Sequence, residues 1–434
     1  MRDAFLERPL EDYDFTTDAR PERIAEILGA WADVVYRVGV TFGTVAARKD
    51  GHTVEVTTFR NEVYRDHSRK PQVTFSDDIE TDLARRDFTV NAIALSLMEM
   101  EPIDPHGGLL DLAAGVLRTP LQPDISFSED PLRMLRLFRF EGTLGFKGEA
   151  RTVEAVAEMG DRLEIVSAER IRDELSKLVV APAAGKALGR VVASGLADRF
   201  LPELPMLAME QDPHQRHKDV LAHTLAVVDK TRPDLVLRLA ALFHDIGKPA
   251  TRQFGKDGVS FHHHEVVGAR MTRRRLKALR YSGDVVDAVS RLVFLHLRPH
   301  TLKMGWTDSA VRRYVRDAGD LLTDLNELVR CDVTTANPRR ARAVQNRIDE
   351  LEERITELSA KEEIARLRAP IDGNQVMEYL GIGPGPEIGD IMGLMLERRI
   401  DDGPYSVGEA YTMVRDWAID RGIPDPGPAP DEEE

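Results

Sequence analysis

The chain has a single cysteine, few aromatic residues and fewer basic than acidic residues, and these shortages limit the class of protein. Its 434 residues include a single cysteine, Cys331, so no disulfide can form within the chain and a reducing, cytoplasmic location fits. No apolar run has membrane-spanning length, and the first residues lack the pattern of a secretory signal peptide. The formal net charge is −15, which is unusual for a nucleic-acid-binding protein. Any binding of a polyanion must therefore use local basic patches.

Charge of both signs is abundant. Charged residues make up 31% of the chain and aromatic residues only 6%, which favours a mostly helical protein. The length allows two to four domains. Local basic patches occur at Arg133–Arg139, Arg273–Arg275 and Arg339–Arg342.

The stretch Leu10–Ala19 reads LEDYDFTTDA and contains two closely spaced carboxylates. If it is a strand, Asp12 and Asp14 leave the same face, where they repel each other unless a cation lies between them. A pair of Mg²⁺ ions would relieve that repulsion and bind a nucleoside triphosphate. The alternative is an acidic turn before a helix that begins at Thr17 or Asp18, and these ten residues leave both interpretations open.

A third carboxylate lies in the next strand. The segments Val34–Ala47 and Thr53–Phe59 have the pattern of strands joined through the hairpin dipeptide Asp50-Gly51. In VEVTTF, Glu55 alternates with two valines and faces away from them, so it is a candidate partner of the two aspartates. An ordinary solvent-facing glutamate is the alternative. We also predict a strand over residues 1–14, a helix over Pro21–Ala32 and a polar loop over residues 61–77.

Arginines with acidic and amide partners recur in two later segments. In Asp82–Leu97, the side chains of Arg86, Asp87 and Asn91 precede an apolar run, as in sites that hold phosphate and ribose oxygens. A charged helix start is the alternative interpretation of that segment.

The second segment, Phe127–Phe140, reads FSEDPLRMLRLFRF and predicts a helix that begins near Pro131. Arg133, Arg136 and Arg139 follow at three-residue spacing and form a stripe of like charge that an anion would stabilise. Asp130 and Arg133 would place an acceptor and a donor side by side. A surface stripe without function is the alternative.

Most of the twelve histidines lie between residues 214 and 300. His244 continues an apolar helical row and alone would be a core histidine, but the doublet His244-Asp245 stands at a helix end closed by a glycine and a proline. Imidazole and carboxylate ligands from separate helices suit a divalent metal centre, which we favour over structural histidines.

Taken together, RD followed by DYDFTTDA, then VEVTTFR, RRDFTVNA, DPHGG and EDPLRMLRLFRF resemble the motifs of bacterial tRNA nucleotidyltransferases. These are the class II CCA-adding enzymes, with poly(A) polymerases as close kin. The histidine cluster resembles the HD phosphohydrolase domain attached to many of them. The resemblance implies an α+β polymerase-β-like nucleotidyltransferase head, here shortened at its N-terminus, followed by an all-α neck and body and an all-α HD domain.

The resemblance also implies roles for particular residues. It gives the substrates as CTP, ATP and the tRNA 3′ end, with Mg²⁺ in the head and a divalent metal of unknown identity in the HD domain. The catalytic, metal-binding carboxylates would be Asp12, Asp14 and, less directly, Glu55. Nucleotide contacts would come from Arg2, Arg86, Asp87, Asn91, Asp130, Arg133, Arg136 and Arg139. The HD metal ligands would be His223, His244, Asp245 and Asp332, with His264 and His296 serving a second metal.

One departure concerns the start of the chain. Family members carry a Gly-Gly pair just before the RD, whereas this sequence begins Met1-Arg2-Asp3. We expect the true start to lie upstream, because the surrounding motifs are intact; the alternative is an impaired head. Three other readings stay open: a poly(A) polymerase, an HD phosphohydrolase with an impaired head, and a non-catalytic RNA-binding protein.

The motif order also predicts domain boundaries. We expect the head over residues 1–118, the neck and body over 119–209 and the HD domain over 210–340. A helical tail over 341–422 and a disordered acidic segment over 423–434 would follow, since the last residues are rich in proline and acidic side chains.

Overall fold

The computed structural model describes residues 1–9, 13–36, 43–63, 72–209, 219–255, 258–299, 305–333, 338–362 and 368–430. The chain divides into two units, residues 1–289 and 290–434, and the boundary falls within one helix. A mixed sheet near the start is followed by a mostly helical chain, which confirms the predicted fold class. None of the described helices is long and apolar enough to cross a membrane.

The first unit begins with a small sheet and its covering helix: α1 (Arg2–Phe5), β1 (Tyr13–Thr17), α2 (Pro21–Trp31), β2 (Val34–Tyr36), β3 (Thr44–Lys49) and β4 (His52–Thr58). The strand order is β1-β4-β3-β2, with β1 parallel to β4 and the other pairs antiparallel. One face of α2 packs on Val45 and Ala47, because its apolar residues recur at helical spacing. The predicted helix over Pro21–Ala32 is therefore confirmed.

The sheet also tests the predicted strands. Asp50 and Gly51 both have positive φ and join β3 to β4, as the hairpin dipeptide predicted. The prediction of one strand over Val34–Ala47 is wrong: β2 and β3 are separate antiparallel strands. Gly43, just before β3, has a φ of +84°, a left-handed conformation that regular strands do not contain.

Two further predictions in the head are wrong. Residues 1–14 are not one strand, since α1 occupies Arg2–Phe5, where an aspartate in the first turn favours a helix start. The predicted loop over 61–77 contains strand β6 (Gln72–Phe75), which pairs with β5 (Arg60–Val63). The backbone N–H and C=O groups of the two strands form hydrogen bonds with each other. Because most of their side chains are polar, the composition of the segment did not indicate that the strands pair.

The rest of the first unit is mainly helical. Its elements are α3 (Ile79–Ala84), β7 (Ala94–Leu95), β8 (Pro102–Ile103), α4 (Gly108–Ala114), β9 (Val116–Leu117), α5 (Pro123–Glu129), α6 (Leu132–Leu144), β10 (Lys147–Gly148), α7 (Ala150–Met159), α8 (Ala168–Val179), α9 (Ala184–Ala193), α10 (Ala197–Phe200), α11 (Val220–Lys230), α12 (Leu235–Phe243), α13 (Lys248–Thr251), β11 (Gln253–Gly255), β12 (Gly258–Ser260), α14 (His264–Ala278) and α15 (Gly283–Leu295), which crosses the unit boundary.

Helices α5 and α6 meet at Asp130 and Pro131. The predicted start near Pro131 is confirmed, since Pro131 is the N-cap of α6. The residues just before it, Ser128 and Glu129, are the end of α5 and not part of that start. Ser167 is the N-cap residue of α8, and its side chain makes no capping hydrogen bond.

The second unit contains α16 (Asp308–Ala318), α17 (Leu322–Cys331), α18 (Pro338–Glu362), α19 (Gly373–Leu380), α20 (Pro386–Asp402) and α21 (Val407–Asp420). The last three helices enclose a core that includes Ile391, Met395 and Trp417. The segment predicted to be disordered begins with contacts to this core: Asp425 pairs with Arg415, and the Gly427 carbonyl accepts a hydrogen bond from Tyr379.

Candidate active site and metal centre

Two of the predicted carboxylates are neighbours in the sheet. Asp14 on β1 lies directly opposite Glu55 on the parallel strand β4, and both side chains are exposed. Tyr13 and Phe15 point to the other face of the sheet, because side chains alternate along a strand. Like charges at facing positions destabilise a sheet unless a cation neutralises them. Asp12, the third predicted carboxylate, lies outside the described residues.

Three arginines converge on one aromatic ring at the start of the helical region. The guanidinium carbons of Arg2, Arg136 and Arg139 lie 5.1, 5.6 and 3.8 Å from the centroid of the Phe140 ring. The face of an aromatic ring is electronegative and attracts such cations. Phe140 is itself held edge to face by Phe88, with ring centroids 5.7 Å apart. We call Arg2, Arg136, Arg139 and Phe140 the arginine cluster.

Two carboxylates hold the arginine cluster in place. Asp87 accepts hydrogen bonds from Arg136 and, at 2.9 Å, from the Asn91 amide, whose oxygen accepts one from Arg2 at 2.6 Å. Glu174 of α8 accepts from both Arg136 and Arg139. The like-charged stripe of α6 is thus stabilised by the protein's own anions. The structure brings together five predicted nucleotide-binding residues: Arg2, Asp87, Asn91, Arg136 and Arg139.

The electrostatic interactions in this group favour the ionised forms of Asp87 and Arg136. Burial acts to raise the pKa of Asp87, but the Arg136 charge and the Asn91 hydrogen bond outweigh it, so the pKa lies below its usual value. Burial acts to lower the pKa of Arg136, yet the charges of Asp87 and Glu174 raise it overall. For Arg139 burial prevails and the pKa is lowered.

The remaining predicted nucleotide contacts have other partners. Arg86 pairs with the buried Asp82 at 3.0 Å. Arg133 is buried and donates hydrogen bonds to Ser126, Glu129 and the Arg85 carbonyl. The side chains of Asp130 and Arg133 contact different neighbours. That they stand side by side as an acceptor and a donor for a base stays a prediction.

Asp130 instead pairs with an arginine that the sequence analysis missed. Arg170 of α8 donates to its Oδ2 atom at 2.7 Å, while the Leu132 amide donates to Oδ1 at 3.2 Å. Glu174, on the same helix, was also missed as a member of the site. A signal for it existed, because helical spacing places Glu174 on the apolar face with Ile171 and Leu175. A carboxylate on a buried face requires a cationic partner.

A second group of titratable side chains surrounds Asp245 in the first unit. The Nε2 atoms of His223 and His244 are 3.2 Å apart, and they lie 3.6 and 3.2 Å from the Asp245 Oδ2 atom. The Nε2 atom of His264 lies 3.4 Å from the Oδ1 atom of the same carboxylate. His244 and Asp245 are almost fully buried. We call His223, His244, Asp245 and His264 the histidine cluster.

Two of these imidazoles are oriented in the same way. The Nδ1 atoms of His244 and His264 lie 2.7 and 2.8 Å from the carbonyls of Ala241 and Phe261, each three residues earlier. Donation from Nδ1 to a carbonyl leaves Nε2 as the ligand atom, the arrangement common in metal sites. Burial acts to raise the Asp245 pKa, but His244 and Lys248 outweigh it and hold the pKa well below the usual range.

This donor set fits a divalent metal. His223, His244 and Asp245 offer three ligand atoms within 4.8 Å of one another. Neutral imidazoles and an ionised carboxylate are the ligands that such ions use in hydrolytic sites. The other two predicted ligands, His296 at the end of α15 and Asp332 after α17, belong to the second unit and stay predictions.

Three families of known proteins match successive regions of the chain. Residues 1–118 match the family described as "Poly A polymerase head domain". Residues 145–207 match "Probable RNA and SrmB- binding site of polymerase A", and residues 214–353 match "HD domain". The carboxylate pair lies in the first of these regions and the histidine cluster in the third.

Similar proteins cover most of the chain. An A-adding tRNA nucleotidyltransferase from Deinococcus radiodurans is 35% identical over 80% of this chain and 81% of its own length. A CCA-adding enzyme from Streptococcus pyogenes is 30% identical over 92% of this chain and 85% of its own. The crystal structure of the Bacillus stearothermophilus CCA-adding enzyme in complex with CTP is 25% identical, with a TM-score of 0.68 over 97% of this chain and 92% of that one. The chain therefore belongs to the class II family of CCA-adding enzymes and poly(A) polymerases, as a member with an HD domain.

Proposed function

We propose that the chain adds or repairs the 3′-terminal CCA of tRNA, using CTP and ATP. The observation that carries the proposal is the arginine cluster, which presents three guanidinium groups beside one another in a site supported by buried carboxylates. A polyphosphate is the ligand that such a group binds best. The similarity to CCA-adding enzymes along nearly the whole chain narrows the reaction class.

The reaction would join a nucleoside monophosphate to the RNA end. The terminal 3′-hydroxyl oxygen forms a bond to the α-phosphorus, the bond from that phosphorus to the bridging oxygen breaks, and pyrophosphate leaves. Asp12, Asp14 and Glu55 would hold magnesium ions, whose charge would neutralise the triphosphate. Arg2, Arg136 and Arg139 would bind phosphate oxygens, and the fixed geometry of Asp87, Asn91 and Glu174 would keep those arginines from reorganising during the transfer.

Selection among the bases would fall to Asp130 as a carboxylate acceptor and Arg133 as a guanidinium donor. Cytosine and adenine each present an amino donor beside a ring-nitrogen acceptor, whereas uracil and guanine present the reverse order. The Asp130 carboxylate accepts and does not donate, so it would favour the first pair. Arg170 pairs with that carboxylate through its Oδ2 atom.

A second candidate is addition of the terminal A alone. It is favoured by the similarity to the Deinococcus protein, which is an A-adding enzyme. The two activities share the chemistry above and differ in whether CTP is accepted. The histidine cluster supports an additional activity, metal-dependent hydrolysis of a phosphate ester, by analogy with the chemistry of its donor set.

The first prediction concerns incorporation. With Mg²⁺ and labelled CTP and ATP, tRNA that lacks CCA should gain two C residues and then one A, whereas tRNA ending in CC should gain one A. Asp14→Asn removes one of the two neighbouring carboxylate charges and should lower incorporation about 100-fold or more. Gel analysis of the products at single-nucleotide resolution measures both effects.

Asp18→Asn is the matched control, because this exposed aspartate follows β1 and carries the same charge. Addition of A only to the CC-ending tRNA would support the second candidate, and long A tracts would support a poly(A) polymerase. Unchanged incorporation by Asp14→Asn would contradict the assigned role of that carboxylate.

The second prediction concerns base choice. Asp130→Asn replaces an acceptor with a group that also donates, so the preference for CTP over UTP should fall about 10- to 100-fold in kcat/KM. Asp124→Asn, an exposed change on α5, should leave the preference intact. An Asp130→Asn enzyme that still rejects UTP as strongly as the wild type would refute base recognition by this residue.

The third prediction separates the two chemistries. RNA with a 2′,3′-cyclic phosphate end should be hydrolysed when Mn²⁺, Co²⁺ or Ni²⁺ is added, and Asp245→Asn should abolish that hydrolysis because the carboxylate lies between the three histidines. Asp14→Asn should hydrolyse this RNA at the wild-type rate. Hydrolysis that survives Asp245→Asn, or that is lost in Asp14→Asn, would count against a separate site at the histidine cluster.

A further inference from the structure

Helix α14 is strongly basic in an otherwise acidic protein. Its fifteen residues carry five arginine or lysine side chains and one glutamate, whereas the whole chain has a formal net charge of −15. The site described above uses only His264, at the start of this helix. The charge of the remaining turns therefore has no role in that site.

Three of the five cations form a row on one face. Arg270, Arg274 and Lys277 are spaced by four and three residues, so they project from successive turns on the same side, and all three are exposed. Within the described parts of the chain, none of the three side chains has a hydrogen-bonding or ion-pair partner. The other two arginines differ, since Arg273 pairs with Asp287 and Arg275 with the buried Glu203.

Such a row is costly for the isolated protein. Like charges at this spacing repel one another and destabilise a helix. The neighbouring Arg273 and Arg275 each pair with a carboxylate, whereas the three side chains of the row have no such partner among the described residues. The arrangement is the one expected of a surface that meets an anion outside the chain.

The row begins close to the helix that supports the arginine cluster. Just beyond α14, the Arg280 carbonyl accepts a hydrogen bond from Arg172 at 2.8 Å, and the Tyr281 hydroxyl lies 2.9 Å from the Ser176 hydroxyl. Arg172 and Ser176 belong to α8, which also carries Glu174. From there, Lys277, Arg274 and Arg270 extend over about 10 Å of helix, at 1.5 Å per residue.

We infer that Arg270, Arg274 and Lys277 bind the phosphate backbone of the acceptor RNA. The inference rests on the proposed function and adds a contact surface to it. A nucleic-acid strand offers a regular line of single charges, which matches a line of exposed cations one helical turn apart better than the irregular charges of an acidic protein do. The match to an RNA-binding family covers residues 145–207 and stops before this helix. The surface would extend RNA binding into the region that matches the HD domain.

The test is the salt dependence of tRNA binding. The triple variant Arg270→Gln/Arg274→Gln/Lys277→Gln should bind tRNA lacking its CCA end about tenfold or more weakly at low salt. The slope of log Kd against log salt concentration should flatten by about 2 to 3, since each lost phosphate contact removes about one counterion. Fluorescence anisotropy with labelled tRNA measures both the affinity and its salt dependence. Because the measurement requires no catalysis, it tests the inference even if the proposed nucleotide incorporation fails.

A matched control carries the same change in net charge. Arg23 is exposed, Arg354 and Arg415 are half-buried, and each pairs with a carboxylate, so the triple Gln variant at these positions should keep the wild-type affinity and slope. In steady-state assays the α14 variant should raise the KM for tRNA and leave the KM for CTP unchanged. An unchanged Kd and slope in the α14 variant would overturn the inference. An equal loss in the control would also overturn it, because net charge and not the row would then set the affinity.

Discussion

The site in the helical region depends on one constraint, the gathering of three guanidinium groups around a single phenylalanine ring. Arg2, Arg136 and Arg139 come from two separate helices and would repel one another in the absence of compensating groups. The Phe140 ring supplies an electronegative face, and Asp87 and Glu174 supply buried anions. The protein's own side chains therefore hold the cluster together, and such preorganisation would lower the cost of binding the polyphosphate that we propose as its ligand.

Helix α8 connects the parts of this site. Its Glu174 holds two members of the arginine cluster, its Arg170 pairs with Asp130, and its Arg172 and Ser176 contact the chain just beyond α14. Residues two positions apart on this helix thus contact the arginine cluster, Asp130 and the chain just beyond the basic helix. A disturbance of α8 would affect all three, so its buried apolar face, with Ile171, Leu175 and Leu178, is part of the functional design.

Much of the fold and site followed from the sequence, for identifiable reasons. The carboxylate on β4 was predictable because strand alternation fixes which residues share a face, and Asp14 and Glu55 indeed occupy facing positions. The β5–β6 pair was missed because backbone pairing there leaves little trace in polar side chains. Arg170 and Glu174 were missed because their partners lie 40 and 38 residues away along the chain, at a distance where only the tertiary fold brings charges together.

The central claim is that the arginine cluster is built for the phosphates of a nucleotide, and the affinities of CTP, CDP and CMP test it most directly. Isothermal titration of the tRNA-free protein in the presence of Mg²⁺ would give the three dissociation constants. The account predicts that affinity falls at each step, with CTP bound about 100-fold or more tightly than CMP, because charge-assisted contacts to the outer phosphates contribute about 1.5 to 3 kcal/mol each. Equal affinity for CTP and CMP would contradict it.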